Sequence, residues 1–166
     1  MTAIETKSLK VGKYVDTAHV DTLIRNYKQE RWRQNSERLG KEDSLSVWFS
    51  VEELEEFIAN IKDYNATGVR FYFGAYPNLH INKKGEDGRQ TIVMVATKNQ
   101  ITEDGNVEKN IHISSQSGIS ILAYNMGQYC PPTCPTPRKP TPGDSDDWGG
   151  LGITIVDKGE QGLAVI

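Results

Sequence analysis

Val69-Arg70-Phe71-Tyr72-Phe73-Gly74-Ala75-Tyr76 is the stretch on which the fold turns. Its aromatic and branched side chains alternate. Val69, Phe71, Phe73 and Ala75 take one face, and Arg70, Tyr72, Gly74 and Tyr76 the other, which is the period of a pleated strand. Alternation of this kind assigns the first set to the core and the second to the outside. Further along, residues 91–97 are almost continuously apolar (Ile92, Val93, Met94, Val95, Ala96), as expected of a central strand covered on both sides. A polar stretch with Glu86-Asp87-Gly88 as its turn joins the two strands. Asp104-Gly105-Asn106 marks a hairpin, which places a third strand at about residues 107–113, and a fourth follows at 119–124.

Upstream of the key strand, Asn65-Ala66-Thr67-Gly68 ends a helix, and Ser50-Val51-Glu52-Glu53 begins it as a capping box. That helix turns Val51, Leu54, Phe57, Ile58 and Ile61 inward, and residues 45–49 before it read as a short buried strand. A longer helix spans residues 17–39, capped by Asp16 or Thr17. Its stripe of Val20, Leu23, Ile24 and Tyr27 is continued by Arg31, Gln34 and Asn35, while Trp32 and Leu39 lie on another face. The helix therefore either bends at residues 28–31 or sends its second half across a different surface. The elements add up to an α+β fold: an antiparallel sheet of about four strands, two helices on one face, and a Pro-rich C-terminal extension.

The domain plan read from composition is linear. Residues 1–16 form an N-terminal segment and 17–127 the core. Residues 128–150 form a Cys/Pro/Gly-rich linker with six prolines between Pro131 and Pro142, and 151–166 an apolar hairpin or tail. The whole chain is 166 residues with 37% hydrophobic residues, enough for one modest core. Its 19 basic and 22 acidic residues leave a net charge of −3, so no nucleic-acid partner is expected. No apolar run approaches the ~18 residues of a membrane span, and the first residues lack a signal-peptide core, so no membrane and a cytoplasmic location are expected.

The motifs of common enzymes are missing from the sequence: there is no phosphate-cradling glycine loop, no H-E-x-x-H and no nucleophile elbow. His19, His80 and His112 are scattered and have no partner visible in sequence. Glu52, Glu53, Glu55 and Glu56 crowd a helix N-terminus, where the dipole favours them without any catalytic role.

Two places remain. One is the strand face bearing Arg70, Tyr72 and Tyr76, where aromatics beside an arginine can grip a peptide. The other is Cys130-Pro131-Pro132-Thr133-Cys134, which reads as packed thiols, a redox pair, or two corners of a zinc site completed by residues such as His112. Packed thiols lead, because extended proline-rich backbone spans about 12 Å here against a ceiling near 7 Å for a disulfide. No cofactor is expected, and zinc is the one candidate.

The segments Asn26-Tyr27, Val47-Trp48-Phe49-Ser50-Val51-Glu52-Glu53-Leu54, Gly68-Val69-Arg70-Phe71-Tyr72-Phe73-Gly74, Thr91-Ile92-Val93-Met94-Val95 and Asn125-Met126-Gly127-Gln128-Tyr129-Cys130-Pro131-Pro132-Thr133-Cys134 occur in that order. This succession, over residues 20–134, resembles a group of small uncharacterised bacterial proteins ending in a Cys-Pro-Pro-x-Cys segment. The resemblance implies a shared fold and brings no activity with it. The expected function is therefore that of a non-enzymatic binding protein, using the strand face or the Pro-rich tail to contact another protein or itself. Thiol-redox or metal chemistry at Cys130 and Cys134 is the alternative.

Overall fold

Asp16 starts the first helix as expected: its Oδ1 accepts from the His19 N–H at 2.8 Å. A computed structural model describes residues 10–78, 86–103, 105–116, 118–131, 155–157 and 163–165. From this cap the chain runs through α1 (Thr17–Tyr27), a π-helical turn (Lys28–Trp32) and α2 (Arg33–Leu39). Strand β1 (Ser46–Trp48) and helix α3 (Val51–Asp63) follow, then β2 (Gly68–Ala75), β3 (Gln90–Thr102) and β4 (Gly105–Asn110). The remaining strands are β5 (His112–Ser115), β6 (Gly118–Ile121), β7 (Ala123–Tyr124), β8 (Gln128–Cys130), β9 (Ile155–Asp157) and β10 (Leu163–Val165). The architecture is α+β. A π-helical turn occupies the residues at which the apolar stripe changes face, and Gly40 ends α2 in the left-handed region at φ 66°.

The chain folds into two compact units that interleave in sequence. The first comprises Met1–Gly12, Trp48–Ala75 and Thr91–Gln128; the second comprises Lys13–Val47, Tyr76–Gln90 and Tyr129–Ile166. Linear composition could not reveal this arrangement, because each unit is assembled from three separated stretches.

In the first unit the sheet order is β2-β3-β4, with β7 also pairing β3. The central strand of the sequence reading is thus β3. Its partners on one side are β4 (Thr97 opposite Asn110, Thr102 opposite Gly105) and β7 (Met94 opposite Tyr124). The expected third and fourth strands are each broken, into β4 and β5 and into β6 and β7, and β5 pairs with β6 as a separate ribbon.

Helix α3 covers one face of this sheet. Its Phe57 and Ile61 pack with Met94, Ala96 and Leu122 into the core, flanked by Leu54, Val69, Ile111 and Tyr124. The capping box is formed: Ser50 Oγ accepts from the Glu53 N–H at 3.1 Å, and Glu53 Oε2 accepts from the Ser50 N–H at 2.9 Å. Close packing also explains Gly127, where a Cβ would lie 2.5 Å from Phe49 Cζ.

Several burial expectations fail: Val51 and Ile58, read as inward-facing on α3, are exposed, as is Trp48 of the strand read as buried. Phe71 and Phe73, assigned to the core by alternation, are 59% and 82% exposed. Period-2 patterning fixes which residues share a face but not how far a helix extends over that face. Helix α3 covers the central strand and reaches β2 only at Val69.

The second unit contains α1, the π-helical turn and α2. Val20 and Leu23 of the expected apolar stripe are exposed, and Ile24 and Tyr27 half-buried. Among its described residues, polar side chains are buried beside Tyr129 and Cys130. Asp43 and Ser44 are buried, as are Glu86 and Arg89. Strand β1 pairs with β8, the Leu45 N–H donates to the Cys130 oxygen at 2.7 Å, and β9 pairs antiparallel with β10. The proline run and Trp148 lie outside the described residues.

Candidate functional site

Strand β2 is the most unusual element in the first unit. Among the described strands it pairs only with β3, so it forms an edge of the sheet, and every second residue of such an edge turns its N–H and C=O away from the neighbouring strand. Edge strands are ordinarily protected by charge, proline or brevity. This one has eight residues, one charge and no proline, and exposes Phe71 and Phe73 on one face and Tyr72, 40% exposed, on the other.

The face carrying Arg70 and Tyr72 has a defined geometry. A Cβ on Gly74 would contact Thr91 and Val93, and one on Gly68 would contact Thr97, so these even-numbered residues share a face with Thr91, Val93, Val95 and Thr97 of β3. From β2 the Arg70 guanidinium reaches over β3 to β4. It donates to the Glu108 main-chain oxygen at 2.8 Å, to Asn110 Oδ1 at 3.1 Å and to the Tyr72 hydroxyl at 3.3 Å. Asn110 Nδ2 in turn donates to the Tyr72 oxygen at 3.0 Å. These two donors, Arg70 first, hold the Tyr72 phenol below its ordinary pKa.

All three acceptors of Arg70 are neutral. The Glu108 carboxylate is engaged elsewhere, accepting from Thr67 Oγ1 at 2.9 Å and from Asn99 Nδ2 at 3.3 Å. Among the described residues Arg70 forms no ion pair. The guanidinium is thus fixed over β4, with no carboxylate at contact distance among the described residues.

Tyr76, expected on the same face, follows the last residue of β2 and packs its ring against another stretch of chain. Strand β2 ends at Ala75, and Tyr76 belongs to the second unit, its ring 6.1 Å from that of Tyr129 and its N–H donating to the Arg89 oxygen at 2.9 Å. The polar groups buried there are well bonded. Asp43 Oδ1 accepts from the N–H groups of Ser44 at 2.8 Å and Gln90 at 2.6 Å, and the Asp43 oxygen accepts from Trp32 Nε1 at 2.8 Å. Arg89 donates to the main-chain oxygens of Glu42 and Pro131. Burial, then a hydrogen bond to Glu86, pushes the Tyr129 phenol well above its ordinary pKa. Burial and the nearby Asp43 raise Tyr27 as well, against the bond that its hydroxyl donates to Gln90 Oε1 at 2.7 Å. Groups bonded in this way hold three separated stretches of chain together.

The cysteine reading is corrected. Cys130 is disulfide-bonded, and Cys134, which lies outside the described residues, is the only other cysteine in the chain. The extended geometry assumed for the prolines does not hold at Pro131, which sits in a turn after a cis peptide bond from Cys130. A sulfur held in a disulfide has no thiolate to offer zinc. His112 is exposed on β5 in the first unit, whereas Cys130 belongs to the second. Among the described residues no group of three His, Cys, Asp or Glu side chains could hold a metal ion. His80 lies outside the described residues, and His19 sits in the first turn of α1.

A cleft of about 300 Å³ lies along α3, lined by Glu53, Glu56, Phe57, Asn60 and Tyr124. The Tyr124 hydroxyl donates to Glu53 Oε1 at 3.2 Å. The Ser50 N–H holds the Glu53 carboxyl below its usual range, and burial holds the Tyr124 phenol above its own. Both shifts move the groups away from neutrality, opposite to what proton transfer near pH 7 requires.

Asn110 and Glu108 escaped the sequence reading because only the β3–β4 register brings them opposite Arg70. Phe71 and Phe73 left a signal: with Tyr72 between them, both faces of the strand carry aromatic side chains. No helix of the described residues is long and apolar enough to cross a membrane. The chain matches no protein-family model, no curated protein and no solved structure.

Proposed function

We infer that this chain is a non-enzymatic interaction protein whose contact element is β2. The observation carrying this reading is the exposure of Phe71, Tyr72 and Phe73 on consecutive positions of an edge strand. Exposed aromatic groups and open main-chain bonding positions together are an aggregation hazard unless a partner covers them. The test is to isolate the tagged chain from its native cells and measure the mass of what it holds. A discrete complex is expected from the wild type and its loss from a Phe71→Ser, Phe73→Ser variant with an unchanged circular dichroism spectrum. A complex that survives both substitutions overturns the reading.

The Cys130 disulfide favours a second reading. In a cytoplasmic setting, reducing thiols would open this bond, and thiol–disulfide exchange at Cys130 and Cys134 would then be the working chemistry. Trapping thiols at lysis tests it: a mixture of oxidised and reduced chain supports exchange, and a fully oxidised or fully reduced population contradicts it.

A further inference from the structure

We propose that the Cys130 disulfide is a redox-operated clasp of the second unit. Closed, it keeps Leu45 and Arg89 bonded to Cys130 and Pro131; reduction lets these stretches part. The proposal rests on the second reading above, in which the bond exchanges with thiols, and adds what the exchange controls.

Cys134 is the one other cysteine of the chain and no cysteine is free, so the bond closes a ring that begins at Cys130 and includes Pro131. Two main-chain oxygens at the start of this ring each hold another stretch of the second unit. The Cys130 oxygen accepts from the Leu45 N–H at 2.7 Å, and the Pro131 oxygen from Arg89 Nη1 at 3.3 Å. The same Arg89 nitrogen donates to the Glu42 oxygen, and the Arg89 oxygen accepts from the Tyr76 N–H at 2.9 Å. Arg89 and Cys130 are both buried, so these bonds give way to water only when the site opens. Strand β8 has three residues, and Pro131 has no N–H with which to extend its pairing. The disulfide is thus a covalent tie placed where the ladder stops.

Reduction consumes two molecules of a small thiol such as glutathione. One thiolate attacks a sulfur of the bond, forms a mixed disulfide and expels the other protein sulfur as a thiolate. A second thiolate displaces the mixed disulfide, leaving two cysteine thiols and the oxidised small molecule. A short ring removes little chain entropy, so its loss loosens the clasp without unfolding the chain. The core of the first unit, built on Phe57, Ile61, Met94, Ala96 and Leu122, contains no cysteine and has no reason to respond.

The test follows amide hydrogen exchange of the full chain in oxidised and reduced glutathione, with thiols counted by mass after alkylation. The Leu45 and Tyr76 amides are expected to exchange about thirtyfold faster in the reduced chain, the loop-closure entropy of a five-residue ring. The Ala96 amide, bonded to the Leu122 oxygen, should keep its rate, and reoxidation should restore the other two. Cys134→Ser should match the reduced chain in both redox buffers; should it fail to fold, the reduced wild type carries the comparison. Thiols that appear while Leu45 and Tyr76 keep their rates overturn the clasp and leave exchange standing. Equal acceleration at Ala96 makes the bond a general staple and also overturns it. A folded chain that yields no thiols in reduced glutathione removes the exchange reading and the clasp with it.

Discussion

The guanidinium of Arg70 donates to the main-chain oxygen of Glu108 at 2.8 Å, tying edge strand β2 to β4 across the central strand β3. The same group lowers the Tyr72 phenol by a direct hydrogen bond. In Arg70→Gln, Tyr72 should therefore ionise at a higher pH than in the wild type. Ultraviolet titration, with Tyr72→Phe to assign the step, measures this. An unchanged step would mean that the guanidinium does not hold the phenol.

Tyr129 behaves in the opposite sense. Burial and Glu86 raise its folded-state pKa, so the phenol stays protonated in the fold after it has ionised in the unfolded chain. Its contribution is complete below about pH 10, the unfolded value, and falls away as pH rises beyond it. Tyr129→Phe should cost about 1 kcal/mol at neutral pH through the lost hydrogen bond and flatten the alkaline decline. Thermal unfolding between neutral and strongly alkaline pH checks both effects.

Gly127 is fixed by its neighbour. A Cβ there would stand 2.5 to 2.8 Å from three atoms of the Phe49 ring, which itself packs 5.8 Å from Tyr124 between centroids. Gly127→Ala is expected to cost about 1–3 kcal/mol as the ring is displaced. Denaturant unfolding reads this cost. The same substitution at Gly12, where a Cβ would meet nothing within 4 Å, is the neutral control.

The sequence makes local devices legible and leaves assembly hidden. Asp16, Ser50 and Glu53 could be read as caps because capping involves residues three apart. The π-helical turn at Lys28–Trp32 showed as a stripe that changed face. Alternation grouped Phe71 with Phe73 and Arg70 with Tyr72 correctly, yet could not say that α3 leaves the two phenylalanines bare. Asn110 meets Arg70 only through pairing forty residues apart in sequence. Tyr76 follows β2 directly in the chain and still belongs with Tyr129, because it is packing that assigns a side chain to a unit. Buried Asp43 and its half-buried partner Gln90, 47 residues apart, left no local signal at all.

The most direct test of β2 as contact element is site-specific photocrosslinking in native cells. A photoreactive phenylalanine analogue at position 73 on β2 is compared with the same group at Lys62, exposed on α3. One discrete protein adduct from position 73, absent from position 62, is the predicted result. No adduct from position 73, or the same adducts from both positions, would contradict the account.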